Sequence, residues 1–271
     1  MKRRLSCAVA ALALAALPGA AAAKEKAKRE RATVALPILV EATAHPPGRL
    51  HSFRTGEMWG TQPARYRSAV ALEDFVREAG GGAPLAIVPG ERLVELQARS
   101  KAFTGSLYCK TIRMGRKQWP VLACLADRDG DGALDQLWTG RAASLDAVVP
   151  YPDIRSLTAV DPVRYRPLTD QASLALEIGF YVSGKNPLLG QHHFYAGIGV
   201  GGKAAYLFGS SHEAVALGEL PKSVGLIGAR ISVKSLVKGT CQAEVVEPVP
   251  TGEQMVVSPY PKQTVYVYVP G

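Results

Sequence analysis

The stretch Ser106–Gly140, SLYCKTIRMGRKQWPVLACLADRDGDGALDQLWTG, decides how this chain is read. Two strand-like runs, Ser106–Met114 and Trp119–Ala126, flank Gly115-Arg116-Lys117-Gln118. Runs of branched and aromatic residues separated by a few turn residues predict a β-hairpin. With a four-residue loop Met114 opposes Trp119, and counting outward places Cys109 opposite Cys124. If 114:119 is a hydrogen-bonded pair, 113:120 and 109:124 are not, because the two kinds alternate along an antiparallel ladder. Pro120 is then asked for no N–H, which it lacks. The two cysteines meet where opposed Cα atoms are about 4.5 Å apart, a span that a disulfide bridges. A two-residue loop reverses the parity and puts Pro120 where a donor is wanted. The spacing therefore predicts a Cys109–Cys124 disulfide and leaves Cys241 as a buried thiol, with an intermolecular bridge or a different pairing of the three as the alternatives.

Soon after Cys124 the chain reads Asp127-Arg128-Asp129-Gly130-Asp131-Gly132-Ala133-Leu134-Asp135, which is D-x-D-x-D-G-x-x-D. Carboxylates at alternate positions converge on one hard cation, and glycine at the sixth position permits the sharp turn between them. The pattern predicts a calcium ion held by Asp127, Asp129, Asp131, the Ala133 carbonyl and Asp135, the last directly or through water. These nine residues resemble the calcium loop of EF-hands and dockerins, and resemble still more the β-hairpin calcium loops of integrin-type propeller repeats. Trp138 stands at the twelfth position, where an EF-hand carries its bidentate Glu, and Val121–Leu125 and Leu134–Trp138 read as strands rather than helices. The resemblance therefore implies the hairpin type, with a dissociation constant of roughly 10⁻⁴–10⁻³ M, as in extracellular modules. The plainer alternative is an Asp/Gly-rich turn, favoured for its tolerance of positive φ. Four carboxylates in nine residues, offset by Arg128 alone, repel one another in that case, a cost that a plain turn has no need of.

Outward from this stretch the dominant signal is strand-like. Thr33–Ala42 is rich in branched apolar residues, with Pro37 restricting it to an edge or a bulge. Leu85–Val88, Leu174–Val182 and Ile227–Val233 read as strands, and Thr264–Val269 alternates Val with Tyr266 and Tyr268. The chain has 27 Gly and 19 Pro at short intervals, the punctuation of many short strands. One helix is predicted over Ser68–Ala79, capped by Ser68 and stopped by Gly80-Gly81-Gly82. The expected class is mainly β: short antiparallel strands, sandwich-like or in two small β-rich halves, with one or two short helices. The division expected is a half at 33–145 carrying the hairpin and acidic loop, a Pro-rich connection at 146–168, and a second half at 169–271. One continuous domain over 33–271 is the alternative.

The first 23 residues read as a secretory signal peptide: the basic Lys2-Arg3-Arg4, an apolar run from Leu5 to Leu17, then Pro18-Gly19 and small residues up to Ala23. No later run is long and apolar enough for a membrane span. The expected location is periplasmic or extracellular, where a disulfide persists. The charge of +9 on 271 residues first suggests an acidic partner. Three basic residues leave with the signal peptide, and 24–32 is a basic leader expected to be disordered. The rest is close to neutral, and its densest charge cluster is negative, so a nucleic-acid partner is not expected.

Other motifs read as structure. Gly197–Gly202 fits G-x-G-x-x-G, but Lys203–Gly209 has no helical stripe, and glycines at alternate strand positions leave a bare face for a neighbour to approach. His192 and His193 are adjacent and point to opposite faces of a strand; His45, His51 and His212 lie elsewhere. No zinc spacing and no nucleophile elbow is present. The sequence thus points to an exported protein with a structural calcium site. Its expected role is non-catalytic, binding an envelope polymer, glycan or protein through sheet surfaces. The competing expectation is a secreted hydrolase whose catalytic residues are scattered along the chain.

Overall fold

The computed structural model describes residues 28–43, 46–77, 86–99, 104–113, 120–127, 129–142, 144, 147–148, 154–170, 174–184, 190–257 and 265–269. In chain order the strands are β1 (Lys28–Val40), β2 (Leu50–Arg54), β3 (Met58–Tyr66), β4 (Ala69–Leu72), β5 (Val76–Arg77), β6 (Ala86–Ile87) and β7 (Arg92–Arg99). Then follow β8 (Thr104–Ile112), β9 (Val121–Ala126), β10 (Leu134–Arg141), β11 (Ile154–Val163), β12 (Tyr165–Pro167), β13 (Ala175–Val182) and β14 (Gln191–Val200). The last are β15 (Lys203–Ala216), β16 (Lys222–Leu226), β17 (Ala229–Val237), β18 (Thr240–Glu247), β19 (Gly252–Val257) and β20 (Val265–Val269). A 3-10 turn spans Leu217–Glu219, and among the described residues no α-helix forms.

The strands build a large antiparallel sheet in the order β11-β10-β9-β8-β7-β1-β3-β13-β14-β15 and a four-stranded sheet in the order β16-β17-β18-β2. β4 pairs with β7 and β12, while β19 and β20 pair with β1. Ladder pairs such as β3:β13 and β1:β19 therefore cross the 146–168 stretch. The small sheet covers one face of the large one. Val224, Ile231 and Ala243 from it share a buried cluster with Ile38, Phe180, Phe194 and Ile198. Phe53 stacks on Trp59 with ring centres 4.2 Å apart, and Trp59 meets Phe180 at 5.4 Å. A second cluster, with Val70, Leu72, Ile87, Leu93, Leu125 and Leu137, lies on the other face of β7, β9 and β10. β9 is consequently buried on both faces, which explains its unbroken apolar run VLACLA.

One edge of the two-sheet stack is closed by charge. Lys222 Nζ donates to the Ala214 carbonyl at 3.2 Å and to Glu219 at 3.0 Å, and the Gly225 N–H donates to Glu213 at 3.1 Å. These bonds engage backbone groups on β15 and β16 that would otherwise form an open strand edge.

The central hairpin forms with the register counted from its loop: Ile112 faces Val121, Lys110 faces Ala123 and Cys109 faces Cys124. The Cys109–Cys124 disulfide joins β8 to β9 across a Cα separation of 4.0 Å. The loop residues 114–119 lie outside the described part, as do the first 23 residues read as a signal peptide, His45 and the glycine triplet.

The structure differs from the sequence reading at five places. Ser68–Ala79 is not helical over its described residues: β4 and β5 form there, because Ala69, Val70, Ala71 and Leu72 are all buried and pair with β7 and β12. A short apolar run carries no periodicity that separates strand from helix. The Pro-rich stretch holds β11 and β12. β11 takes the outermost place in the large sheet, and its ladder slips between Val163 and Ala159, where Pro162 is accommodated. Pro37 lies in an interior strand. β7 pairs with Thr33–Ala35 and β3 with Ile38–Val40, so Pro37 falls between them, where its carbonyl accepts from the Arg67 N–H and no N–H is asked for. Ile227 belongs to the two-residue turn before β17, at φ +47. β1 begins at Lys28, inside the stretch read as a leader, and Lys28–Ala32 pair with β20.

Candidate metal centre and the histidine face

The acidic loop joins β9 to β10, which pair directly below it at Ala126:Gln136 and Leu125:Leu137. Its ends are fixed by burial of Ala126 and Leu134. Within it Asp127 acts as the organiser: Oδ1 accepts the Gly130 N–H at 2.7 Å and Oδ2 accepts the Gly132 N–H at 3.0 Å. Asp129 accepts from the Asp131 N–H at 3.3 Å, and Asp131 from the Ala133 N–H at 2.8 Å. Gly130 stands at φ +79, a conformation that costs a residue with a Cβ about 1–2 kcal/mol. The result is that Asp127, Asp129 and Asp131 each present an oxygen within 4.8 Å of the others. Each carboxylate oxygen has a second lone-pair site beyond the N–H it accepts. At such a distance each pair of negative charges repels by about 1 kcal/mol in water, a cost that a divalent ion between them reverses.

The structure thus brings together three of the four expected carboxylates. Asp135, on β10, is not among the converging three. Trp138, at the twelfth position, is buried in the core opposite Cys124. The disulfide and the loop both act on β9, with Cys124 three residues before Asp127.

A second constellation lies on the outer face of β14 and β15. His193 and Tyr195 share that face, and Tyr195 pairs with His212 across the ladder. The Tyr195 and His212 rings stack with centres 5.5 Å apart, and His193 lies 5.6 Å from His212. Ser183 on the adjoining strand end fixes this corner: its N–H donates to the His193 carbonyl and its Oγ accepts the His193 N–H at 3.1 Å. The Nδ1 of His193 is hidden from solvent and has no hydrogen-bond partner. His192 points the other way into the core, with Nδ1 3.0 Å from the Ser183 carbonyl. The sequence shows the two histidines but not the meeting of His193 with His212, because two register shifts lie in the β14:β15 ladder.

The glycine pattern is structural. Val200 ends β14, Gly201-Gly202 make the turn, and a strand follows in place of the helix that a dinucleotide site requires. A Cβ on Gly199 would lie 2.7 Å from Met58 Sδ, and one on Gly179 2.8 Å from Met58 Cε, so the Met58 side chain occupies the bare face. Tyr266 and Tyr268 fall on β20, whose side chains lie outside the described part. Sequence reasoning also missed a buried charge cluster. Glu95 is 5 % exposed and is held by the Arg67 guanidinium and by Ser106 Oγ at 2.6 Å, while Arg67 reaches Glu253 at 2.8 Å. Its carboxylates raise the Arg67 pKa further above the ordinary arginine value.

No protein-family model, curated protein or solved structure matches this chain.

Proposed function

We propose that this is an exported, non-catalytic β-rich protein whose acidic loop binds a structural calcium ion, and which engages an envelope polymer, glycan or protein through a sheet surface. The observation that carries the reading is the convergence of Asp127, Asp129 and Asp131 on a hairpin loop directly after the disulfide-bonded strand. The D-x-D-x-D-G spacing and the hairpin setting both fit a calcium loop of the integrin-propeller type. The ion offsets the mutual repulsion of the carboxylates and fixes the β9–β10 connection, while the disulfide fixes β9 to β8. Export to the periplasm or beyond follows from the signal-like first 23 residues and agrees with a disulfide. The surface best suited to a partner is the face carrying Tyr181, His193, Tyr195 and His212, where partly exposed aromatic and imidazole rings lie side by side. The competing hydrolase asks for histidines gathered with carboxylates in a cleft. Among the described residues, the cluster of three or more His, Cys, Asp or Glu that converges is the aspartate trio, on an exposed loop.

Calorimetric titration with calcium tests the site. One ion per chain binds with a dissociation constant of roughly 10⁻⁴–10⁻³ M, and the heat disappears in the Asp129→Asn/Asp131→Asn double variant. Absence of heat at millimolar calcium refutes the site. Export is tested by sequencing the N-terminus of protein recovered outside the cytoplasm, which begins at Lys24; a retained Met1 overturns it.

A further inference from the structure

We propose that His193 and His212 form a second metal site, distinct from the acidic loop, that takes a late first-row transition-metal ion of the zinc class. The two residues come from adjacent antiparallel strands and lie on the same outer face, in diagonal positions of the ladder. Their ring centres are 5.6 Å apart with planes at 46°. Two imidazoles on one tetrahedral ion, with metal–nitrogen bonds of about 2.0–2.1 Å, have ring centres about 5.2 Å apart. The strands therefore hold the rings within a few tenths of an ångström of the spacing that shared ligation needs.

The second observation is the state of His193 itself. Its Nδ1 is hidden from solvent with no hydrogen-bond partner, although its backbone on both sides is held by Ser183. A buried polar nitrogen without a partner costs about 1–3 kcal/mol, and a metal bond made there removes that cost. Imidazole nitrogen selects zinc, copper or nickel, whereas the aspartate loop offers hard oxygen for calcium. The sites cannot be one, because β9 and β14 are separated in the large sheet by β8, β7, β1, β3 and β13. Tyr195, stacked on His212, shields one side of the pair, and water completes the coordination.

The test is a zinc titration of the whole protein in saturating calcium at neutral pH, read by calorimetry and by the ring signals of its five histidines. One zinc binds per chain and moves the ring signals of His193 and His212. Binding weakens at least tenfold in His193→Gln and in His212→Gln, and is unchanged in His51→Gln. It is also unchanged in Asp127→Asn, so failure of the calcium loop and failure of this site are separable. His212 is exposed, so its variant retains the fold and carries the test if the His193 variant does not. Unchanged zinc affinity in folded His212→Gln, or zinc-induced shifts confined to other histidines, overturns the proposal.

Discussion

Replacing Cys109 and Cys124 together with alanine isolates what the crosslink contributes. The bond closes a loop with a sequence separation of 15. In the chain-entropy treatment, a closed loop of that length removes about 3 kcal/mol of freedom from the unfolded state. For a chain of this size, 1 kcal/mol moves the melting temperature by about 2–4 °C, so the variant melts about 6–12 °C lower. Both cysteines are buried, at 0 % and 1 % exposure, so a reductant does not reach them in the folded protein and the variant is the cleaner perturbation. The assay is thermal unfolding followed by circular dichroism, with peptide mapping under non-reducing conditions to identify the bridge. Cys241 supplies an internal control. Burial pushes its thiol up to about 12, so at pH 8 it stays unalkylated until the protein unfolds. A melting temperature within 2 °C of the parent, or a bridge to Cys241, refutes the reasoning.

Other perturbations have defined outcomes. Glu95→Ala removes the buried partner of Arg67, leaving Glu253 as its ion-pair partner, and destabilises by about 1.5–3 kcal/mol in urea unfolding; a loss below about 1 kcal/mol means the pair is effectively solvated. Gly60→Ala destabilises by about 2 kcal/mol, because φ is +57 and the new Cβ lies 3.1 Å from both Phe180 and Val245. The check is the same urea titration, and a neutral result contradicts the placement of Gly60. Asp74 accepts hydrogen bonds from the Arg164 side chain and backbone N–H, which hold its carboxyl at about 2 against an ordinary 3.8. Because the folded value is the lower, its contribution to stability is complete above about pH 4 and is lost as pH falls toward 2. Carboxyl NMR titration finds the midpoint near 2 in the parent and back near the ordinary value in Arg164→Ala. Equal midpoints in the two proteins remove the ion pair from the account.

The hairpin was legible because two independent constraints, the Pro120 parity and the cysteine spacing, agree on one register, and no bulge lies between them. The acidic loop was legible because its ligands are local in sequence. The histidine face was not. Counting back from the Gly201-Gly202 turn puts Tyr195 opposite Phe208, whereas shifts between Tyr195 and Gly197 and between Ile198 and Gly199 bring His212 there. Bulges leave no dependable mark in a single sequence, so a site built across them is invisible until the ladder is seen. The Ser68–Ala79 helix failed for a different reason. Its run Ala69–Leu72 is buried at every position, so neither a period of 2 nor one of 3.6 survives there, while Phe75 is exposed.

The central claim is that calcium in the 127–135 loop stabilises the folded protein, and thermal unfolding with and without calcium measures it. At about 10 mM calcium, a dissociation constant of roughly 10⁻⁴–10⁻³ M gives about 1.4–2.7 kcal/mol of added stability. That raises the melting temperature by about 3–11 °C over the chelated protein, and the rise vanishes in Asp127→Asn. An unchanged melting temperature in the parent, or an equal rise in the Asp127 variant, contradicts the account.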